Sequence, residues 1–480
     1  MSFSLNELRE AASGRVLMAE REDFPAGAID SRSLEPGELF FALRGESADG
    51  HAYVEAAIAQ GAGGAVIADD RAEPAFIHKL RRYRNIALVA VDEPEAALAR
   101  LAAAHRSAMG ELRVAAITGS NGKTTTKEIL AALLGAHAPT LATRGNLNNQ
   151  LGVPLTLLRL ESKHQYAVVE IGASGPGEVD ALARMVRPRV GILTNIAPAH
   201  LEGFGSLEGV RRSKGELLRH VAVSGTIIVN EDDPGAVSLA GEFAGKKVKV
   251  SVQGNDADVV AEEVVAAGPD GMSFTLRAYG KSQLVRLPLV GTHNVSNAVM
   301  ASAAALEMGI PFEKVAIALE RVRPAQMRSE VRVGADGTML LVDCYNANPT
   351  SMSRALETLA QLPCKGRRIA ILGQMNELGS QSREFHRALG EEAARQGIDW
   401  LLYTGMFADE VIEAATKAGL QHAESFPSHE EIMSAIGRGM KAGDSVLIKG
   451  SRGARMERIA DPLLARLERE GHAEDGEGGR

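Results

Sequence analysis

A lysine and a threonine directly after a glycine turn form an arrangement that can hold a triphosphate. Residues 118–128 read Thr-Gly-Ser-Asn-Gly-Lys-Thr-Thr-Thr-Lys-Glu, straight after the apolar run Val114 to Ile117. That order predicts a strand, a tight turn and a helix opening on Lys123. Backbone N–H groups of Gly119, Ser120, Asn121, Gly122 and the first helical turn, through Thr125, would converge on one concavity. The helix dipole adds partial positive charge there. Lys123 supplies a full charge for the outer phosphates, and Thr124 a hydroxyl for Mg²⁺. The spacing is shorter than the common phosphate loop: Ile117, not glycine, stands five positions before Gly122, leaving G-x-x-G-K-T from Gly119. The alternative is an ordinary glycine turn closing a strand.

Metal–triphosphate chemistry needs further hard oxygen ligands, and open α/β sheets gather them at the carboxyl ends of strands. Glu170 ends the apolar run from Tyr166. Asn195 and His200 follow the run ending at Thr194. Singly, a glutamate at a strand end reads as a solvated cap and a histidine as a hydrogen-bonded structural residue. Beside Lys123 and Thr124 on neighbouring strands they read as a site. Lys214, in Arg211-Arg-Ser-Lys-Gly-Glu216, reads on composition alone as a surface helix charge.

The elements that must position these groups alternate. Apolar runs near residues 114–117, 167–171, 190–194 and 226–229 are separated by helix-patterned stretches, predicting a mainly parallel sheet covered on both faces. Residues 245–290 change to alternating patterns, expected as an antiparallel addition, before a helix over 295–306. A hinge is expected at Arg323-Pro324-Ala325, after which runs at 339–343, 368–372, 400–403 and 445–448 restart the α/β rhythm. Before residue 105, short runs at 39–43, 65–68 and 86–91 form a smaller unit; the Gly61–Gly64 turn follows a helix, the wrong order for a dinucleotide fingerprint. The expectation is an α/β protein of three domains, 1–105, 106–322 and 323–480. The Gly-, Glu- and Asp-rich tail is expected to fray from about residue 468.

Bulk properties narrow the function. The 480 residues carry 53 basic and 61 acidic side chains, so 53 − 61 = −8, which argues against a nucleic-acid partner. Only Cys344 and Cys364 occur, too few for a disulfide framework. No apolar run approaches the roughly 18 residues of a membrane span, and the first 18 residues lack an apolar signal core. A cytoplasmic protein without membrane insertion is expected, and nothing demands more than a monomer.

Several strings resemble the Mur ligase family of ATP-dependent amide-forming synthetases: Thr118–Thr125, Thr194-Asn195 with His200, and Gly291-Thr-His-Asn-Val-Ser-Asn-Ala298. Longer ones are similar to the branch that uses UDP-N-acetylmuramoyl-tripeptide and D-alanyl-D-alanine. These are Gly145-Asn-Leu-Asn-Asn149, Glu170-Ile-Gly-Ala-Ser174, Asp343-Cys-Tyr-Asn-Ala-Asn-Pro349 and Leu372-Gly-Gln-Met-Asn-Glu-Leu-Gly379. The resemblance implies a domain for the uridine diphosphate end, a central ATPase-like domain with the phosphate loop, and a Rossmann-like domain for the incoming amine. It implies ATP, two Mg²⁺ ions and a CO₂-derived carbamate on Lys214, which turns a cation into a carboxylate-like ligand. Thr124 would hold one metal; Glu170, His200 and carbamylated Lys214 the other. Asn294 and Asn297 would cradle adenine, Arg328 would reach the γ-phosphate and Asp343 the ribose. Ser31, Arg32 and Arg44 would meet the uridine diphosphate end, Asn146 and Asn149 the muramoyl-peptide, Asn346 and Asn348 the dipeptide.

The reaction so implied is phosphorylation of a carboxylate to an acyl phosphate, then attack by an amine. Rivals are a sister ligase adding a diamino acid, whose Asp-Asn-Pro-Arg string is missing after Arg323, a folylpolyglutamate-type ligase, and a phosphate-loop switch or transport ATPase.

Overall fold

The computed structural model describes residues 3–45 and 48–477. Besides a two-stranded antiparallel pair of Phe3–Ser4 with Asp23–Phe24, three larger sheets follow one another along the chain. The first has five strands in the order Arg15–Ala19, Ala87–Val91, Gly64–Ala68, Leu39–Phe41, Gly27–Ala28, all parallel except the first.

The central sheet has nine strands. Seven are parallel and run, from one edge, Thr140–Ala142, Tyr166–Glu170, Arg113–Thr118, Val190–Leu193, Thr226–Asn230, Lys246–Ser251 and Val259–Ala266. Met272–Ala278 and Lys281–Leu287 add to the far edge antiparallel; of the stretch 245–290 expected as an antiparallel addition, Lys246–Ser251 and Val259–Ala266 instead continue the parallel order. Residues 114–118 and every residue of the two flanking strands are buried, which explains their continuous apolar reading.

The third sheet has six strands in the order Glu330–Val333, Met339–Val342, Ser445–Lys449, Arg368–Gly373, Trp400–Thr404, Ala423–Ser425; only the first is antiparallel. The described residues are thus α/β with three large sheets. The expected boundary at 105/106 falls inside the helix Pro94–Ala108. Its apolar face, Leu98, Leu101 and Ala102, joins Val114, Val153 and Val169 in a single core, so first and second units share packing rather than a linker. The boundary at 322/323 falls between the helix Phe312–Leu319 and the strand Glu330–Val333.

The chain end departs from expectation. The helix Glu457–Glu477 continues through the stretch expected to fray from 468. Met456, Ile459, Leu463 and Leu467 anchor its first half in a core, and the Glu/Arg-rich continuation prefers helix once a nucleus exists. Residues 478–480 of that tail lie outside the described residues. Among the described residues no helix is long and apolar enough to cross a membrane.

The helices Lys123–Gly135 and Thr292–Glu307 lie against each other over one face of the central sheet. They meet at Gly122, the N-cap of the first, with φ +79° and a position for an added Cβ only 2.3 Å from Asn297 Oδ1. Replacing Gly122 by alanine is expected to cost about 1–2 kcal/mol for the left-handed backbone alone and to displace Asn297. Thermal unfolding and calorimetric titration with ADP measure both; parental affinity for ADP would refute the second effect.

Candidate active site

The phosphate-loop strand lies between two parallel neighbours, with Glu170 paired to Ile117 and Leu193 to Thr118. Their carboxyl ends therefore deliver the loop, Glu170 and Thr194-Asn195 to one place. The helix Lys123–Gly135 starts on Gly122 with no side-chain cap, leaving its first N–H groups for a ligand. The neighbouring strand braces the turn. Thr194 Oγ1 and Asn195 Nδ2 donate to Asn121 O at 2.6 and 3.0 Å, and Asn121 N donates to Asn195 Oδ1 at 3.1 Å. Ser120 Oγ donates to Ala197 O at 2.8 Å. A side chain at Gly119 (φ +142°) would place its Cβ 2.0 Å from Thr194 Oγ1. Lys123 Nζ donates to Gly119 O at 2.7 Å and Ser120 O at 3.2 Å. Burial pushes its pKa down, against the opposing pull of Glu170.

Glu170 is buried, and its Oε1 accepts from Thr124 Oγ1 at 3.1 Å and Asn148 Nδ2 at 2.7 Å. Its Oε2 is buried with no partner. An orphaned carboxylate oxygen beside a hydroxyl and a phosphate loop suits Mg²⁺, which takes one or two carboxylates plus phosphate oxygens. Among the described residues no three His, Cys, Asp or Glu side chains form a metal group by themselves. His200 adopts left-handed φ of +51° and holds Glu377 through Nδ1.

Lys214 overturns its compositional reading as a surface charge. It is buried on the helix Leu207–Gly215, with Nζ 3.4 Å from Ala173 O and 5.1 Å from the centre of the Phe204 ring. Burial, then repulsion from Lys123, pushes its pKa down to about 7. Both effects favour the neutral amine.

The helix Thr292–Glu307 presents Asn294 and Asn297. Asn294 Nδ2 donates to Val290 O at 2.8 Å, and Asn297 Nδ2 to Asn294 Oδ1 at 3.1 Å. His293, beside them, is pushed down to about 4 by burial and then by Arg354, so it is neutral at physiological pH. Arg328 sits between two residues of positive φ, Met327 and Ser329, with its guanidinium 4.2 Å from the centre of the Tyr345 ring. Asp343 follows the strand Met339–Val342; its carboxylate takes Ser329 N at 3.2 Å and the buried Lys449 Nζ at 2.5 Å. Asn348 caps the helix Pro349–Gln361 through Oδ1 and donates from Nδ2 to Asn121 Oδ1 at 2.6 Å, joining the third domain to the phosphate loop.

These groups line one cleft of about 410 Å³, shared by Ser120 to Thr125, Glu170, His200, Asn294, Asn297, Arg328, Asp343 and the asparagines 146, 149, 346 and 348. Gly119 and Lys214 do not line it; Lys214 reaches the carbonyl of Ala173, which does. Asn149 is partly committed, its Oδ1 accepting from Gly152 N at 2.9 Å to start the helix Gly152–Leu157. Asn346 Oδ1 accepts from Ala347 N. The expected uridine diphosphate residues are not brought to this cleft. Arg32 is an exposed side chain paired with Asp30 beside Ser31, and Arg44 pairs with Asp70. Residue-by-residue reading of the sequence missed Asn148, Tyr345, His293, Glu377 and Lys449. Each stands within or next to a string that was recognised, but what each touches is set by a distant element.

Family models match three stretches: "Mur ligase family, catalytic domain" over 28–106, "Mur ligase middle domain" over 117–305 and "Mur ligase, glutamate ligase domain" over 327–452. UDP-N-acetylmuramoyl-tripeptide–D-alanyl-D-alanine ligase of Escherichia coli K12 is 35% identical, covering 96% of this chain and 98% of the relative. The protein of that name from Bacillus subtilis is 34% identical over 91% and 92%. A crystal structure of MurF from Acinetobacter baumannii superposes with TM-score 0.85 at 35% identity, covering 96% and 99%. The structure of MurF ligase from Thermotoga maritima in complex with ADP gives TM-score 0.75 at 26% identity over 92% and 98%. With a phosphate loop, an orphaned carboxylate oxygen and three matched domains, this chain belongs to the Mur ligase family.

Proposed function

We propose that this chain is an ATP-dependent ligase that joins D-alanyl-D-alanine to UDP-N-acetylmuramoyl-tripeptide, the last cytoplasmic step in making the peptidoglycan precursor. The observation that carries the reading is full-length similarity, 35% over 96% of the chain, to ligases of that name. The cleft supports it by opening the phosphate loop toward both the central and the third domain. Nothing in this reading calls for an oligomer.

A carboxylate resists amide formation because oxide is a poor leaving group. In the first step the tripeptide carboxylate oxygen bonds to the γ-phosphorus, ADP leaves, and an acyl phosphate forms. In the second the dipeptide amine bonds to the acyl carbon, the C–O bond to phosphate breaks, and the amine loses a proton. The protein contributes positioning and charge compensation. Lys123 and the N–H groups of the turn hold the outer phosphates. Arg328, braced on Tyr345, reaches the transferring phosphoryl from the hinge. Asp343, oriented by Lys449, takes the ribose, and Asn294 and Asn297 the adenine. Asn146 and Asn149 face the muramoyl-peptide, Asn346 and Asn348 the dipeptide; Ser31, Arg32 and Arg44 meet the uridine diphosphate end if ligand brings that domain nearer.

Mg²⁺, when bound, offsets charge on the phosphates and the carboxylate. Thr124 would hold one ion; Glu170, His200 and Lys214 as its carbamate would hold a second. Carbamate formation needs a neutral amine: nitrogen bonds to the carbon of CO₂ and releases a proton. The lowered pKa of Lys214 supports this, since its neutral fraction grows as pH rises through about 7.

Phosphate release should require tripeptide precursor and D-alanyl-D-alanine together; release with nucleotide alone would instead indicate a switch ATPase. Lys214→Ala is expected to lower kcat by about 10²-fold or more, with partial recovery in formate or acetate; unchanged turnover removes Lys214 from the metal group. Arg328→Ala should reduce kcat by about 10²-fold with a much smaller change in the KM for ATP; a raised KM with unchanged kcat would mean plain ground-state binding.

A further inference from the structure

We propose that Glu377 is a positioning residue. Reaching across from the third domain, its carboxylate sets the ring of His200 so that Nε2 stays free for the metal, and this ligand is complete only when the central and third domains meet. The inference rests on the reading of His200 as a metal ligand given above.

Two segments dock where the domains touch. Glu377 Oε2 contacts His200 Nδ1, and two residues on, Glu202 N donates to Glu377 O at 3.2 Å. Gly379 lies under the same turn, where an added Cβ would sit 3.7 Å from Glu202 Cα. Both partners hold conformations that L-residues disfavour, with φ +51° at His200 and +63° at Glu377. Non-glycine residues remain there only when their surroundings over-determine them, and such positions gather at functional sites. Stability does not account for the contact. The two side chains retain 28% and 55% of their exposure, and a pair so placed contributes little.

Orientation accounts for it better. Both residues line the cleft that holds Lys123 and Glu170. A carboxylate at Nδ1 selects the tautomer with its proton on Nδ1, leaving the Nε2 lone pair for coordination and raising its basicity. The Phe204 ring, edge-on at 6.5 Å, flanks the imidazole. A further contact made from the third domain, Asn348 Nδ2 to Asn121 Oδ1 at 2.6 Å, lands on the phosphate loop. The same approach of domains therefore braces the loop and aims the histidine.

The test uses the full-length chain as parent, His200→Asn, Glu377→Ala and Glu377→Gln. Nitrogen NMR of the ligand-free proteins reads the His200 tautomer, assigned by difference from His200→Asn. Titration of Mn²⁺ in the presence of ADP, followed by electron paramagnetic resonance, reads the site that His200→Asn removes. Glu377→Ala is expected to shift the ring to the Nε2–H tautomer and to weaken that site by about 10- to 100-fold. Glu377→Gln, whose carbonyl can still accept from Nδ1–H, should recover part of both and keeps the test intact should the alanine variant fold poorly. If His200→Asn removes a Mn²⁺ site while both Glu377 variants keep parental tautomer and affinity, the role of Glu377 is overturned and the metal reading stands. If His200→Asn removes no site, the metal reading of His200 fails, and this inference with it.

Discussion

The organising constraint is a turn whose N–H groups must stay open to an anion while the chain around it is packed solid. Backbone donors left unpaired in a dry place are costly, so the turn cannot be self-sufficient. Thr194 and Asn195 hold its carbonyl side, Ser120 ties to Ala197, and Asn297 closes over Gly122. The position of the phosphate strand inside the sheet follows from this. Only a central strand has neighbours on both sides, one to brace the loop and one to carry Glu170.

A second theme is charge kept away from water. Lys127, Lys214 and Lys449 are fully buried, as is Glu170. Such groups are tolerable when each meets polar partners. Lys127 reaches the carbonyls of Thr143 and Gly145 at 2.8 and 3.1 Å, tying the nucleotide helix to the loop that bears Asn146 and Asn148. Lys449 is held by Asp343 and by Asn346 O. Lys214 has only one long contact to a carbonyl and an aromatic face, the least satisfied of the three. Burial, then repulsion from Lys123, lowers its pKa.

The third domain acts on the reacting groups through few contacts. Its sheet delivers Asp343, Lys449 and residues 374–377 from adjacent strand ends, and the helix starting at Pro349 delivers Asn348. Arg328 stands between two residues of left-handed backbone, Met327 and Ser329, on the segment that joins the central and third sheets.

Local chemistry was legible in the residues alone. Gly-Lys-Thr after an apolar run specifies strand, turn and helix through short-range geometry, and the alternation of runs specifies parallel sheets; the switch to antiparallel comes at Met272 rather than near residue 245. Strings such as Gly145–Asn149 located most of the cleft. What lay beyond reach depended on strand order and on burial across distant elements. The sequence cannot say that Tyr166–Glu170 lies on one side of Arg113–Thr118 and Val190–Leu193 on the other, nor that the helix bearing Lys214 packs inward. It places Arg32 and Arg44 within a motif but not away from the cleft, and marks the chain end by composition without the core that nucleates its helix. Glycine, apolar period and charge type act over a few residues and were decided by the chain itself. Desolvation, the pairing of His200 with Glu377 and the clasp of Asn121 by Asn348 arise only when segments far apart in sequence share one dry volume.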